Sequence, residues 1–352
     1  MSIVKTQFPG AMGPDGFISC FDHLIHESEL RRMLILKGGP GVGKSTFMRR
    51  IHAALTADGE ESTLYFCSGD PDSLDAVAIP SRGLLILDGT APHIVDPRIP
   101  GARDSIINLG TCLDEAGMRP RLPHISACMA DHAACSRRAR SFMQSICALM
   151  RDSAAAVSEC IDHRRLARMT DALIAAVLTQ RHEADRQPYV RPVITVALTP
   201  KGEICLLPAQ QTQRVIRLVH HFAMDPTPML RALSRAAQLA GFDVEEHLSP
   251  LMPGGLLHLS IPALSTLVTT SSAVVSEQTF DFSACLPAGS LLRRECALEQ
   301  SRASILRHTQ LAVDAMSQAK QLHDELETFY VPNMDFSKWQ SILDETLASL
   351  QA

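Results

Sequence analysis

Residues Gly38-Gly39-Pro40-Gly41-Val42-Gly43-Lys44-Ser45 fit the pattern G-x-x-x-x-G-K-[ST] without a mismatch. The chemistry this pattern serves is polyphosphate binding. Glycines let backbone N–H groups converge on dense negative charge, and the N-terminus of a following helix adds its positive end. Lys44 has the reach for the β- and γ-phosphates, and the Ser45 hydroxyl is suited to Mg²⁺. The expected binding set is Gly38, Gly39, Pro40, Gly41, Val42, Gly43, Lys44, Ser45 and Thr46, with ATP and Mg²⁺ as cofactors. A bare strand-to-helix turn has no use for the Lys-Ser pair.

Such a loop works only between a strand and a helix. Met33-Leu34-Ile35-Leu36 is a short apolar run that reads as a buried strand, and Phe47, Met48, Ile51 and Leu55 recur at helical spacing. A second strand, Leu84-Leu85-Ile86-Leu87, ends in Asp88, which has the form of a Walker B segment. Its carboxylate would sit beside the loop and bind Mg²⁺ directly or through water, so Ser45 and Asp88 are the expected metal residues. The alternative is a strand-ending Asp that caps a turn. Between them, Asp70, Asp72 and Asp75 put three acids in six residues, suited to orienting water, holding Mg²⁺ through its shell or gripping a substrate. The bland reading is an Asx-turn loop. After Asp88 comes Gly89 through Pro97, where Thr90 and His93 can meet a γ-phosphate or an attacking group. Lys44, Asp88, His93 and Asp72 are the expected catalytic residues.

A displacement of 182 positions, which puts Lys44 on Pro226, lays the first half of the chain on the second. Met33–Leu36 falls on Val215–Leu218, Phe47–Ile51 on Met229–Leu233, Gly59 on Gly241 and Ile79-Pro80 on Ile261-Pro262. The constant offset implies a duplication. The second copy keeps the apolar frame and loses the phosphate chemistry. Asp225 replaces Gly43, His220-His221 replace Gly38-Gly39, and Thr270 replaces Asp88; Met252, Gly254 and Leu257 replace the three acids. Thr227, opposite Ser45, is the only chemical survivor. Polar residues erased in the second copy are candidates for function, and shared apolar ones are candidates for packing.

The fold class expected is α/β: two tandem P-loop NTPase-like α/β domains, 1–190 and 191–352, each followed by a helical segment. The stretch 126–183 is helical in character, with stripes at Phe142, Ile146, Leu149 and Met150 and at Leu166, Met169, Leu173, Ala176 and Val177. Leu292–Leu326 and a last helix ending near Leu350 close the second half. A formal charge of −5 gives no general footprint for nucleic acid. No apolar run approaches membrane-spanning length, residues 1–17 lack a signal-peptide core, and the ten cysteines show no metal-ligand spacing. The expected setting is the cytoplasm, with reduced thiols.

Lys37 through Thr46, Cys67-Ser68 with Asp70-Pro71-Asp72-Ser73-Leu74-Asp75, the block Asp88 through Pro97 with Pro100-Gly101-Ala102, and Ile107-Asn108-Leu109-Gly110 resemble an uncharacterised bacterial family of tandem P-loop ATPase-like proteins. Leu322 through Glu327 and Asn333-Met334-Asp335-Phe336 are similar to it too, so the resemblance covers nearly the whole chain. It implies nucleotide binding and duplicated α/β architecture, with the second copy degenerate here. Three functions suit these residues: a Mg²⁺-dependent ATPase using the N-terminal site alone, a small-molecule kinase with Arg98 or Arg103 as a lid arginine, and a nucleotide-gated scaffold. The partners implied are a nucleoside triphosphate and either a protein or a small-molecule acceptor. The absence of an N-K-x-D guanine signature favours ATP.

Overall fold

A computed structural model describes residues 4–91, 93–182, 186–207 and 214–351; Pro92 of the site loop and Glu183, at the end of the expected helical stretch, lie outside them. The first half runs β1 (Val4–Gln7), β2 (Gly10–Gly13), β3 (Gly16–Ser19), β4 (Arg32–Lys37), α1 (Lys44–Leu55), β5 (Ser62–Phe66), β6 (Leu74–Ile79), β7 (Leu84–Asp88), β8 (Asp104–Asn108), a short α2 (Glu115–Met118), α3 (Leu122–Ser158) and α4 (His163–Val177). The second half runs β9 (Val190–Val193), β10 (Val196–Thr199), β11 (Gly202–Cys205), β12 (Arg214–Val219), α5 (Thr227–Leu239), β13 (Val244–Leu248), β14 (Leu256–Ile261), β15 (Thr266–Thr269), β16 (Gln278–Asp281), α6 (Glu295–Tyr330) and α7 (Phe336–Gln351). Among the described residues no helix is long and apolar enough to cross a membrane.

Each half contains a six-stranded mixed sheet. The orders, β1-β5-β6-β7-β4-β8 and β9-β13-β14-β15-β12-β16, are the same order twice. In each sheet one strand, β6 or β14, runs against its neighbours. Even the irregularity repeats: the register slips at Tyr65/Phe66 and again at His247/Leu248, its equivalents 182 positions on. The duplication read from the sequence is therefore present strand for strand in the two sheets. Gly83 ends its turn at φ 57°, and its equivalent Ser265 holds the same left-handed conformation at φ 47° without being glycine.

The apolar periodicities explain the layers. Phe47, Met48 and Ile51 of α1 are fully buried against Leu34, Leu36, Val77 and Ile86. Each such side chain contributes roughly 1.5–3 kcal/mol relative to exposure. The opposite face of the first sheet is covered by Phe21, Leu24 and Ile25.

The helices that follow each half are exchanged. α3 has 37 residues, so it carries the chain roughly 55 Å before the next turn. It pairs antiparallel with α6: Cys128 meets Leu322, Phe142 meets His308 and Glu159 meets Arg294. α4 then packs Leu166, Met169, Leu173 and Val177 onto the second sheet, beside Leu230 and Phe242. α7 packs Trp339 and Leu343 onto the first sheet, beside Phe47 and Leu109. The partition 1–190 and 191–352 follows the chain, whereas each core is completed by the other half. Asp162 and Asp335, 173 positions apart, cap α4 and α7 identically, and their N–H groups bond Cys285 and Cys112, again 173 apart. Phe8 and Ile194, also equivalents, pair antiparallel with each other, which marks a local pseudo-two-fold axis.

Candidate functional site

β4 and β7 are adjacent and parallel, so the loop after Lys37 and the end of β7 at Asp88 share the carboxyl edge of the sheet. Lys44 Nζ lies 3.5 Å from Asp88 Oδ2 and donates to the carbonyls of Gly38 (2.9 Å) and Gly39 (3.0 Å). Asp88 Oδ1 accepts from Thr90 N at 2.9 Å and Thr90 Oγ1 at 2.5 Å. One carboxylate oxygen thus caps a turn, as the bland reading expected, while the other faces the lysine.

The loop bends as the glycines require. Gly41 has φ 69° and Gly43 has φ 80°, where any side chain is strained. Gly43 caps α1 with no side chain, so the first N–H groups of that helix receive no side-chain cap. In the second copy, Asp225 Oδ1 accepts from Thr227 N at 2.9 Å. The carboxylate at the position of Gly43 thus bonds the helix end itself and puts negative charge where the first copy has none. Val42 is buried, Pro40 half-buried and Thr46 exposed.

Ser45 Oγ accepts from Leu74 N at 2.9 Å, and Thr227 Oγ1 accepts from the equivalent Leu256 N at 3.0 Å. The hydroxyl survives in the second copy because it ties the helix to the neighbouring strand. That structural duty accounts for the conserved residue type and leaves its proton and second lone pair free in the first copy.

The three acids separate. Asp75 is buried at the start of β6, and the register Ala76–Leu87 places it one step further, opposite Asp88. Burial, reinforced by the Asp88 charge, pushes its carboxyl up to about 7, against a hydrogen bond from Cys67 and the pull of Lys44. Asp70 shapes the turn, accepting from Ser73 Oγ at 2.8 Å, and faces Lys320 of α6 at 3.6 Å. Asp72 does not join the site. It lies on the surface and pairs with Lys201 Nζ at 2.6 Å, which holds its carboxyl below the usual range. Asp75 takes the place the sequence reading gave to Asp72.

His93 does join. Its Nε2 lies 3.5 Å from Asp75 Oδ2, and its ring sits between Phe17 (4.6 Å) and Phe21 (4.9 Å). Burial holds the imidazole below its ordinary value, with Asp88 opposing and Lys44 reinforcing. Nδ1 is buried without a partner. Lys37 fixes this segment by donating to Gly89 O and Val95 O, both at 2.8 Å. Arg98 and Arg103 are not lid residues. Arg98 pairs with Asp22, and Arg103 pairs with Glu27 and with Asp104 at the opposite, amino edge of the sheet, where Arg103 O accepts from Met33 N.

Sequence reasoning did not find the contribution of the second half. A Cβ on Gly39 would meet Tyr330 at 2.8 Å, one on Gly41 would meet Val331 at 3.0 Å, and one on Gly43 would meet Trp339 Nε1 at 3.2 Å. The corner between α6 and α7 therefore covers the loop. Among the described residues no group of three or more His, Cys, Asp or Glu side chains is arranged to hold a metal ion. Comparison with family models, with curated proteins and with solved structures finds no match to this chain, so its functional reading rests on the site geometry.

Proposed function

We propose that the chain hydrolyses ATP with Mg²⁺ at the single glycine-rich loop of its first half. The observation that carries this reading is the approach of Lys44 to Asp88, at 3.5 Å, across the carboxyl ends of two adjacent parallel strands. Lysine at the helix N-terminus supplies a cation for the phosphates, and the uncapped N–H groups after Gly43 supply further donors. Mg²⁺ is commonly bound through one or two protein oxygens, with phosphates and waters completing its shell. Asp88 Oδ2 and Ser45 Oγ fit that donor set. The ion, when bound, would neutralise charge developing on the phosphates.

The chain's own residues then divide the work. Lys44 binds the terminal phosphates. Asp75, which titrates near neutrality, takes a proton from the attacking water as that water's oxygen bonds the γ-phosphorus and ADP leaves with the electrons of the broken P–O bond. Neutral His93, 3.5 Å from Asp75, is the neighbouring acceptor to which that proton can pass. The kinase reading loses both of its arginines, which are engaged elsewhere.

The test is phosphate release from Mg²⁺-ATP by the full chain, beside Lys44→Ala and Pro226→Ala. Lys44→Ala should abolish turnover, and Pro226→Ala should leave it unchanged. Binding without release in the unaltered chain would identify a scaffold and overturn the hydrolase reading. Two equivalent nucleotide sites per chain would overturn the single-site reading.

A further inference from the structure

The proposal concerns Trp339, the chain's only tryptophan, and rests on the nucleotide-binding reading above. Trp339 belongs to α7, at the far end of the second half, yet it is 6% exposed within the core of the first. Its ring is fixed on two sides. Phe47 meets it edge-on at 5.6 Å, and the Arg50 guanidinium lies over it at 5.3 Å. Its indole nitrogen has no hydrogen-bond partner. Unpaired buried donors are rare and costly, so one on a rigidly packed ring needs a reason.

The direction of that edge supplies it. Nε1 lies 3.2 Å from where Gly43 would carry a Cβ, against the residue that caps α1 without a side chain. The orphan donor therefore stands at the same helix end as the uncapped backbone N–H groups and Lys44. Gly43 is required twice there, by its φ of 80° and by the approach of the indole.

The duplication provides the comparison. Moving back 173 positions along the exchanged helices, Trp339 becomes Leu166, Tyr330 becomes Val157 and Glu327 becomes Ala154. The scaffold there is otherwise the same: Lys338 Nζ donates to Thr111 O, and its equivalent Arg165 donates to Ala284 O. The indole, the phenol and the carboxylate over the loop that kept its lysine thus have apolar equivalents in the other copy, whereas Val331 over Gly41 has the polar Ser158.

We infer that Trp339 is a nucleotide-binding residue lent to the first half by the second, its indole N–H donating to a phosphate oxygen of the bound polyphosphate. The glycine-rich loop is then incomplete without the exchanged helix.

The experiment compares the full chain with Trp339→Phe, which keeps the aromatic packing and removes the donor. Affinities for a non-hydrolysable ATP analogue with Mg²⁺, and for inorganic tripolyphosphate, would be measured by calorimetry. The variant should bind both about ten-fold more weakly or worse, the loss expected for a hydrogen bond to a charged acceptor, while still unfolding in one cooperative transition in the absence of ligand. Equal affinities overturn the inference while leaving the nucleotide site standing. No binding by the unaltered chain overturns the nucleotide reading and this inference with it. A measurement on the unaltered chain covers the case in which the variant does not fold. Labelled with ¹⁵N-tryptophan, it has one indole resonance, which should move downfield as the N–H gains a phosphate acceptor. A resonance that stays in place at saturation overturns the proposal.

Discussion

Asp75→Asn separates the stability of the site from its activity. Asp75 is buried opposite Asp88, and its carboxyl is raised from 3.8 to about 7. A carboxyl raised on folding means that the folded chain holds the proton more tightly than the unfolded chain. Stability contributed by that proton is complete below 3.8 and is lost as pH rises through about 7. Proton linkage between these two values gives a penalty of roughly 2 kcal/mol at pH 5 and roughly 4 kcal/mol at pH 8. Asparagine carries no such charge. Relative to the unaltered chain, the variant should therefore gain roughly 2–3 kcal/mol more stability at pH 8 than at pH 5, read from urea unfolding at both values. The difference between the two pH values is the diagnostic quantity, because lost or gained hydrogen bonds of the amide are the same at both. Titrating groups remote from Asp75 cancel in the comparison. The same substitution should abolish the rise of kcat/KM with pH near neutrality, since the base has gone. A stability change identical at pH 5 and pH 8 would refute the assignment of a neutral-range proton to Asp75.

Asp72→Ala should turn over ATP as the unaltered chain does, because Asp72 meets Lys201 on the surface and not the loop; a loss of turnover comparable to that of Lys44→Ala would return it to the reacting group. A second effect of pH belongs to the other half. His247 and His258 are fully buried, bonded to Thr195 and Ser260 and to Thr269 respectively; burial, abetted by Arg191, lowers His247 to about 3, and burial with His247 lowers His258 well below its ordinary value. For a histidine lowered on folding, the unfolded chain binds the proton first, so stability present above about 6.5 should fall as pH drops below it, for His247 down to about 3. His258→Gln should make that fall shallower, and an unchanged slope in urea titrations would contradict the burial argument.

The loop, its strand, its helix and Asp88 were legible because each is local: a contiguous motif, a short apolar run, a helical stripe and a strand-ending acid. The duplicated frame was legible from one offset. Asp75 was harder to separate from Asp72 because the sequence does not show that β6 runs backwards. In a parallel strand the residues at the site edge come last; in β6 they come first, so Asp75 at its start stands opposite Asp88 at the end of β7. Asp70 and Asp72, five and three residues earlier, are already in the turn. Ser45 misled in another way, since its survival as Thr227 reflects a backbone tie to Leu256 rather than remnant phosphate chemistry. The covering residues Tyr330 and Trp339 were hidden by distance. Their relation to the loop depends on the 36-residue α6 delivering α7 to the opposite sheet, and on an offset of 173 rather than 182.

The exchange of α4 and α7 also explains why a copy stripped of its phosphate chemistry keeps its frame. If each half were closed by its own helices, loss of Lys44's counterpart would leave the second half without a duty at the first site. Here the second sheet takes α4, and the antiparallel partner of α3 is α6, whose end turns into α7. Apolar residues of the second half thus hold the corner that lies over Gly39, Gly41 and Gly43. Leu230 and Phe242 seat α4 on the second sheet, Asp335 caps α7, and Trp339 stands against the loop. Asp225, at the position of Gly43, bonds the end of its own helix. On the single-site reading proposed above, loss of chemistry with retention of frame is what a site shared between two halves, and located in only one, produces.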